Sequence, residues 1–315
     1  MEYSNTLTRL IERHDLPFTE MRELMESIMG GQLTPAQIAA VLIALRTKGE
    51  TVTEIAAAAS VMRELSTTVK IGKTDHLVDT CGTGGDGAQT FNISTTSAFV
   101  VAAAGARVAK HGGRSVSSTC GSADVLEKLG VNVNLSPEQV AQCVDTIGVG
   151  FMFAPNHHSA MKHAAPVRKE LGVRTMFNLL GPLTNPAAAP NQVIGVFQRS
   201  LTTKLAQVLG ELGSHHVLVV HGADGMDEIS LSDSTYIAEL KDGKVNEYTI
   251  HPDQFGLTTA PVESLKVANS DEACAKLMNV LNNKQGTARD IVQMNAGAAI
   301  YVAGLTQSLE EGVAE

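Results

Sequence analysis

The segment LVDTCGTGGDG, residues 77–87, is the strongest indication of fold class in this chain. Its two leading apolar residues are typical of a buried strand, and its glycines allow a sharp turn that exposes backbone N–H groups. A helix is predicted to begin near Ser94. Backbone N–H groups at such a turn and at a helix start bind anions well. The segment therefore predicts an α/β domain with a phosphate-binding loop.

Two other nucleotide-binding motifs resemble this loop and have to be weighed. The spacing Gly82-x-Gly84-x-x-Gly87 matches the dinucleotide fingerprint, which expects an acidic residue about twenty positions later. No Asp or Glu occurs between Gly87 and Ala123, whereas Arg107, Lys110 and Arg114 do. No Gly-Lys-Ser/Thr follows the turn, as a P-loop would require. The pattern therefore favours a polyanionic ligand other than a dinucleotide.

The chain changes its pattern near residue 68. Before it, apolar residues recur at helical spacing, with Thr34-Pro35 and the Thr51/Glu54 pair as helix starts. After it, short apolar runs alternate with helical segments, which indicates a mostly parallel sheet. We predict a small all-helical N-terminal domain, 1–68, hinged to a larger α/β domain, 69–315, with a hinge or returning helical segment near 160–190. Asp242-Gly243 predicts a hairpin turn at an antiparallel edge.

Composition narrows the class of protein. The 315 residues carry a formal charge of -9, which disfavours a nucleic-acid partner. The most apolar run, 98–106, is too short to cross a membrane, and the start does not read as a signal peptide, so a cytoplasmic protein is expected. The four cysteines form no CxxC pair and are predicted to be reduced thiols.

A second polar cluster follows the next predicted strand. Lys110-His111-Gly112-Gly113-Arg114 and the hydroxyl-rich run to Asp124 place cations beside a loop that could close over phosphates. A solvated polar loop is the alternative. The absence of acidic residues before it favours the phosphate interpretation.

Three acidic residues, Asp224, Asp227 and Glu228, follow another predicted strand. Asp227 and Glu228 follow the apolar run 217–220, at the strand end where open α/β sheets hold ligands. Mg²⁺ typically binds one or two carboxylates together with waters and substrate phosphates. An ordinary acidic turn at Asp224-Gly225 is the alternative reading of this segment.

The run 155–186 is rich in His, Arg, Gly and Pro. No cysteine or carboxylate accompanies its histidines at zinc-ligand spacing, so zinc is not expected. An arginine such as Arg168 can instead hold a carboxylate with two hydrogen bonds and so orient an aromatic acid.

Taken together, these motifs resemble the anthranilate phosphoribosyltransferase family over nearly the whole chain. The 79–87 block, residues 92–95, 110–112 and 121–124, the 168–186 run and Asp227-Glu228 occur in the family's order. The resemblance implies the fold of class II nucleoside phosphorylases, a homodimer, and transfer of a phosphoribosyl group from phosphoribosyl pyrophosphate (PRPP) to anthranilate with Mg²⁺.

The resemblance also implies roles for individual residues. Lys110 and Arg168 are the expected catalytic residues, and Ser94, Asp227 and Glu228 the Mg²⁺ ligands. The anthranilate residues are expected to be Gly82, Gly113, His158, Arg168 and Gly181. Those for PRPP are Gly82, Thr83, Gly84, Gly85, Asp86, Thr90, Asn92, Ser94, Thr95, Lys110 and Ser122. For Asn92, Ser94 and Thr95, a plain helix-capping role is the alternative.

Three departures from the family pattern are visible. Gly113 stands where the family usually has an asparagine of the acceptor region, Ser159 stands where proline is usual, and family members normally continue beyond Glu315. The alternatives to an anthranilate acceptor are a different aromatic acceptor or the related pyrimidine nucleoside phosphorylase reaction. A non-catalytic nucleic-acid-binding relative is disfavoured by the acidic charge.

Overall fold

The computed structural model describes residues 2–114 and 120–315. These residues form two compact units. The helical unit contains the chain up to Thr67 together with Pro155–Thr184, and the α/β unit contains Thr68–Ala154 and Asn185–Glu315. The predicted fold class, an N-terminal helical domain with a larger α/β domain, is confirmed.

The α/β unit is built on a seven-stranded sheet in the described part of the chain, with the spatial order β3-β2-β1-β4-β5-β6-β7. Strands β1 to β5 pair in parallel, and β6 and β7 add an antiparallel edge. The strands are β1 Leu77–Gly82, β2 Arg107–Gly112, β3 Val149–Phe153, β4 Asn191–Gly195, β5 His216–Gly222, β6 Thr235–Lys241 and β7 Lys244–Ile250.

The helices follow in chain order. They are α1 Tyr3–Ile11, α2 Phe18–Met29, α3 Pro35–Lys48, α4 Val52–Glu64, α5 Ile93–Ala103, α6 Ser122–Lys128, α7 Pro137–Ile147, α8 Ala154–His157, α9 Ala165–Leu171, α10 Phe177–Leu183, α11 Leu201–Glu211, α12 Ser270–Leu281, α13 Thr287–Val302 and α14 Leu309–Ala314. Short 3₁₀ turns span Ser159–His163, Pro252–Phe255 and Val262–Leu265. Across the described residues, no helix combines the length and apolarity needed to cross a membrane.

Local sequence signals explain several element boundaries. The predicted helix starts are confirmed, because Thr34 caps α3 and Thr51 caps α4, each in a reciprocal capping box. The hairpin prediction is also confirmed. Asp242 and Gly243 join β6 to β7 with φ angles of 51° and 71°, the left-handed pair that a tight two-residue turn needs.

The first strand is longer than its apolar residues indicated. The apolar residues Leu77 and Val78 begin β1, which continues through Asp79 to Gly82. Asp79 and Thr80 are buried in the strand although both are polar. The turn therefore begins at Thr83, at the carboxyl end of β1, where a parallel sheet presents ligand-binding groups.

Candidate active site

The sheet reverses its winding direction between β1 and β4. From β1 the chain adds β2 and then β3 on one side, and β4 then pairs with the other side of β1. Open α/β sheets bind ligands at the carboxyl ends of the strands that flank such a point. Here those ends are Gly82 and Gly195, which lie opposite each other in register.

The loop after β1 requires its glycines. Gly84, Gly85 and Gly87 have φ angles of 66°, 77° and 75°, which side chains with a Cβ atom rarely adopt. Thr83 fixes the start of the loop, because its N–H donates to Gly195 O at 2.9 Å and its Oγ1 accepts from Phe197 N–H at 3.2 Å. Asp86 accepts from Ala88 N–H at 3.1 Å and so closes the far end.

Asp227 contacts this loop directly. The N–H of Gly84 donates to Asp227 Oδ2 at 2.7 Å, and the N–H of Asp227 lies 3.4 Å from Asp86 Oδ2. A Cβ atom on Gly195 would lie 1.5 Å from the carbonyl oxygen of Asp227, and one on Gly82 would lie 2.5 Å from Asp227 Oδ2. The two glycines that end β1 and β4 thus make room for the acidic segment after β5.

Sequence reasoning missed Gly195. A glycine at the end of a short apolar run is an ordinary feature of a sequence. Its role comes from the register that sets it opposite Gly82 and from the approach of Asp227. No local sequence signal could have pointed to it, because Gly82 and Gly195 become neighbours only in the folded sheet.

The lysine of the second cluster lies beside the same strand. Lys110 is 3% exposed, and its Nζ donates to Thr80 O and lies 3.3 Å from Ser94 Oγ. Ser94 is in the first turn of α5, which follows the glycine loop. The glycine loop, the lysine and the start of α5 therefore meet at the end of β1.

Burial and mutual repulsion change the acidity of the carboxylates. The pKa of Glu228 rises to about 7 because burial disfavours its charge, while Lys110 lowers it and Asp86 raises it further. The pKa of Asp227 rises well above its usual range, because of burial and then because of Asp86 and Glu228. A cation placed among these acids would relieve both effects.

This acidic group fits Mg²⁺. Asp227 and Glu228 supply two carboxylates, and Ser94 hydrogen-bonds to Glu228. Within residues 2–114 and 120–315, no group of three or more His, Cys, Asp or Glu side chains is placed to hold a metal ion, so the protein offers at most two carboxylates here. An incomplete set suits Mg²⁺, which keeps several waters and substrate phosphate oxygens in its coordination shell.

The start of α5 presents polar groups that do not cap the helix. Asn92 is the N-cap residue but makes no capping hydrogen bond, and its Nδ2 instead donates to Cys120 O at 3.0 Å. Asn92 Oδ1 and Thr95 Oγ1 are buried and have no hydrogen-bond partner among the described residues. For Asn92 the capping alternative is therefore wrong. Two unpaired buried oxygens beside the glycine loop are typical of a ligand site.

The buried residues Asp79 and Asn185 hydrogen-bond to the backbone on either side of Lys110. Asn185 Nδ2 donates to Asp79 Oδ2 at 2.7 Å and to Ala109 O at 2.9 Å. The N–H of His111 donates to Asp79 Oδ1 at 3.1 Å. Burial raises the pKa of Asp79, while Lys110 and these hydrogen bonds lower it. Asp79 and Asn185 therefore hold β2 together, Asp79 at His111 and Asn185 at Ala109, on either side of Lys110.

Two further residues predicted for PRPP, Thr90 and Ser122, make contacts within the α/β unit. Thr90 forms an isolated bridge to Lys266, and Ser122 begins α6 with its Oγ 3.2 Å from Gly113 O. Arg114 was expected to face phosphates, but it pairs with Asp124 and Glu127, each at 2.7 Å. The acid-free stretch ends at Ala123, and α6 directly after it brings Asp124 and Glu127 back to Arg114. The hydroxyl-rich residues Ser115, Ser117, Ser118 and Thr119 lie outside the described residues.

The other predicted acceptor residues belong to the helical unit. Arg168 is half-buried on α9, its guanidinium lies 5.4 Å from the ring centre of Phe177, and burial lowers its pKa. It has no acidic partner within the described residues. His158 is buried, and burial, with a smaller effect of His157, lowers its pKa to about 4. Gly181 on α10 has open space where a Cβ would be, as does Gly113 in the α/β unit.

Comparisons with known proteins agree with this architecture. Residues 74–315 match the family model described as "Glycosyl transferase family, a/b domain", and residues 4–66 match "Glycosyl transferase family, helical bundle domain". The chain is 61% identical over 311 residues to the anthranilate phosphoribosyltransferase of Laribacter hongkongensis, covering 99% of this chain and 91% of that one. It is 64% identical over 307 residues to that of Thiobacillus denitrificans, covering 98% and 90%.

Solved structures show the same similarity. The anthranilate phosphoribosyltransferase of Thermus thermophilus superposes with a TM-score of 0.93 at 43% identity, covering 100% of this chain and 93% of that one. The Saccharomyces cerevisiae enzyme in complex with PRPP and Mg gives a TM-score of 0.88 at 26% identity, covering 99% and 91%. By its two matched domains and its high identity to these relatives, the chain belongs to the anthranilate phosphoribosyltransferase family.

Proposed function

We propose that this chain transfers the 5-phosphoribosyl group of PRPP to the amine of anthranilate and releases pyrophosphate. The bond from ribose C1 to the pyrophosphate oxygen breaks, and the departing oxygen keeps the electron pair. A bond forms from the amine nitrogen to C1, and the nitrogen loses a proton. The proposal applies to this chain the activity named for its relatives.

One observation carries the proposal. The glycine loop after β1, the buried Lys110 and the acids Asp227 and Glu228 lie together at the β1–β4 switch point. A donor-rich loop and a cation suit a pyrophosphate, and the acids suit the metal that accompanies it. We propose that Gly82, Thr83, Gly84, Gly85, Asp86, Thr90, Asn92, Ser94, Thr95, Lys110 and Ser122 bind PRPP.

The chain's own residues would act by position and charge. Ser94, Asp227 and Glu228 would hold Mg²⁺, which supplies positive charge against the leaving pyrophosphate. Lys110 would stabilise the same developing charge from a buried position, where electrostatic interactions are strong. An aromatic amine is uncharged at neutral pH, so no strong base is needed before the transfer.

Arg168 would supply selectivity for an aromatic acid. Its half-buried guanidinium has an aromatic neighbour, Phe177, and no acidic partner among the described residues. A carboxylate ligand would pair with it. Because burial lowers the pKa of His158 to about 4, this side chain would be neutral at physiological pH. Gly82, Gly113, His158, Arg168 and Gly181 are the proposed anthranilate residues.

We also propose a homodimer formed through the helical unit, in the cytoplasm. α1 and α3 flank an apolar cavity of about 520 Å³ lined by Leu7, Leu10, Ile11 and Ile43, among others. Ile11 is 66% exposed and Ile43 37%, and contiguous exposed apolar surface of this kind marks interaction sites. Sedimentation of the wild-type protein tests this assembly, and replacing Ile11 and Ile43 by Asp should yield monomers.

A fluorescence assay tests the proposed reaction. Anthranilate fluorescence should decay only when PRPP and Mg²⁺ are both present, and chelation of the metal should stop the decay. Incubation with thymidine and phosphate forms the comparison, because a nucleoside phosphorylase would release thymine. Thymine release without anthranilate consumption would contradict the proposal.

A further inference from the structure

The acidic segment is anchored on both sides by buried residues. Met226 and Ile229, which flank Asp227 and Glu228, are 1% and 0% exposed and belong to the apolar core of the α/β unit. The N–H of Gly222 donates to Met226 O at 2.9 Å, which fixes the first side to the end of β5. The second side, at Ile229, lies in no strand or helix and needs other hydrogen-bond partners.

Asn295 supplies those partners. This residue lies in α13, is 3% exposed, and stands 66 positions from Ile229. Its Oδ1 accepts from Ile229 N–H at 2.9 Å, and its Nδ2 donates to Ile229 O at 2.9 Å. The second Nδ2 hydrogen reaches Ile291 O at 2.9 Å, within the same helix. One side-chain amide therefore binds both backbone groups of the residue after Glu228.

On its other side, the acidic segment contacts the backbone at the ends of β1 and β4. Asp227 O lies so close to Gly195 that a Cβ atom there would overlap it, and Asp227 Oδ2 accepts from the Gly84 N–H. The segment is thus held between the ends of β1 and β4 on one side and α13 on the other. Among the described residues of α13, only Asn295 hydrogen-bonds through its side chain to the backbone of this segment.

We propose that Asn295 is a positioning residue that sets Asp227 and Glu228 for metal binding. It does not touch the substrate. Its amide fixes the backbone next to Glu228 in the way that outer hydrogen bonds orient metal ligands in other proteins, where their loss weakens metal affinity about 10- to 100-fold. The inference depends on the proposed function in one respect only, namely that the metal binds together with pyrophosphate.

Mn²⁺ binding in the presence of pyrophosphate tests the proposal without turnover. Mn²⁺ shares the oxygen ligands of Mg²⁺ and can be followed by electron paramagnetic resonance. Asn295→Leu has a similar volume but lacks both hydrogen-bonding groups. We expect its Mn²⁺ affinity to fall at least tenfold, and its half-saturating Mg²⁺ concentration in the activity assay to rise by a similar factor. Asn295→Asp retains the acceptor for Ile229 N–H and should lose less; it also serves if the leucine variant does not fold.

Ile300→Ala is the matched control. Ile300 is a buried residue of the same helix and has no contact with Ile229 by hydrogen bond. The Ile300→Ala substitution should lower the melting temperature of the protein but leave its Mn²⁺ affinity within twofold of wild type. Equal Mn²⁺ affinity in Asn295→Leu and wild type, an equal loss in Ile300→Ala, or no Mn²⁺ binding by the wild type would overturn the inference. If the wild type bound Mn²⁺ with pyrophosphate but consumed no anthranilate, the proposed function would be contradicted and the inference about Asn295 would stand.

Discussion

The backbone N–H of Gly84 donates to the carboxylate of Asp227 at 2.7 Å, although 143 positions separate the two residues in the chain. This bond joins the glycine loop after β1 to the acidic segment after β5. It brings anion-binding and cation-binding groups to one point of the sheet. A metal-bound pyrophosphate is the ligand that needs both kinds of group together.

Gly195→Ala should damage this junction. The new Cβ would lie 1.5 Å from Asp227 O, so the acidic segment would have to move. A shift of about 1 Å in a catalytic group can cost roughly 100-fold in rate, and we expect a loss of that order in anthranilate consumption. Gly210→Ala is the control, because its Cβ would meet Leu240 at 3.4 Å, an ordinary contact. If Gly195→Ala were as active as Gly210→Ala, the close approach would be irrelevant.

Arg168→Gln should weaken acceptor binding. A hydrogen bond to a charged group contributes about 1.5–3 kcal/mol, so the KM for anthranilate should rise roughly 10- to 100-fold while that for PRPP changes little. Lys169→Gln, at the next and exposed position of α9, should leave both values unchanged. Equal KM increases for the two substrates would argue against a role in carboxylate recognition.

His158 should make stability depend on pH. Burial lowers its folded-state pKa from 6.5 to about 4. Between pH 6.5 and pH 4 the histidine is therefore protonated in the unfolded chain but neutral in the folded protein. The stabilisation is complete above pH 6.5 and is lost as the pH falls toward 4, by roughly 2–4 kcal/mol. Urea midpoints of wild type and His158→Gln between pH 7 and 4.5 measure the effect. The variant should lose less stability than wild type on acidification. If the urea midpoints of both proteins fell equally with pH, the account of a buried neutral His158 would be contradicted.

Asn185→Leu should destabilise the α/β unit. It removes the donor at 2.7 Å from Asp79 and leaves a buried carboxylate short of a partner, at a cost of about 2–4 kcal/mol. Asn191→Leu is the matched control, since it removes one neutral hydrogen bond to Leu77 O and should cost about 1 kcal/mol. Urea midpoints that fall equally in the two variants would show that Asp79 does not depend on Asn185.

Local signals were enough to predict the main elements and to single out part of the candidate site. The change of pattern near residue 68, the two capping boxes and the Asp242-Gly243 hairpin each depend on neighbouring residues, and so they could be read from the chain. The glycine loop and the Asp227-Glu228 pair were found in the same way, because polar groups that follow an apolar strand stand at its carboxyl end.

The rest depends on contacts between distant residues. Asp79 and Asn185 are 106 positions apart, and Ile229 and Asn295 are 66 apart. No local pattern pairs them. Gly195 gains its role only from strand register, and the acids that occupy Arg114 come from a helix further along the chain. These are tertiary features, which single-sequence patterns do not encode.

The Mg²⁺ dependence of anthranilate consumption by the Asp227→Ala, Glu228→Ala double variant tests the central claim most directly. Asp233→Asn, an exposed acid a few positions later, serves as the control and should behave as wild type. We predict that the double variant loses the metal-dependent rate at every Mg²⁺ concentration while its circular dichroism stays unchanged. A double variant that kept the wild-type metal-dependent rate would contradict the claim that these acids, the glycine loop and Lys110 act on one metal-bound pyrophosphate.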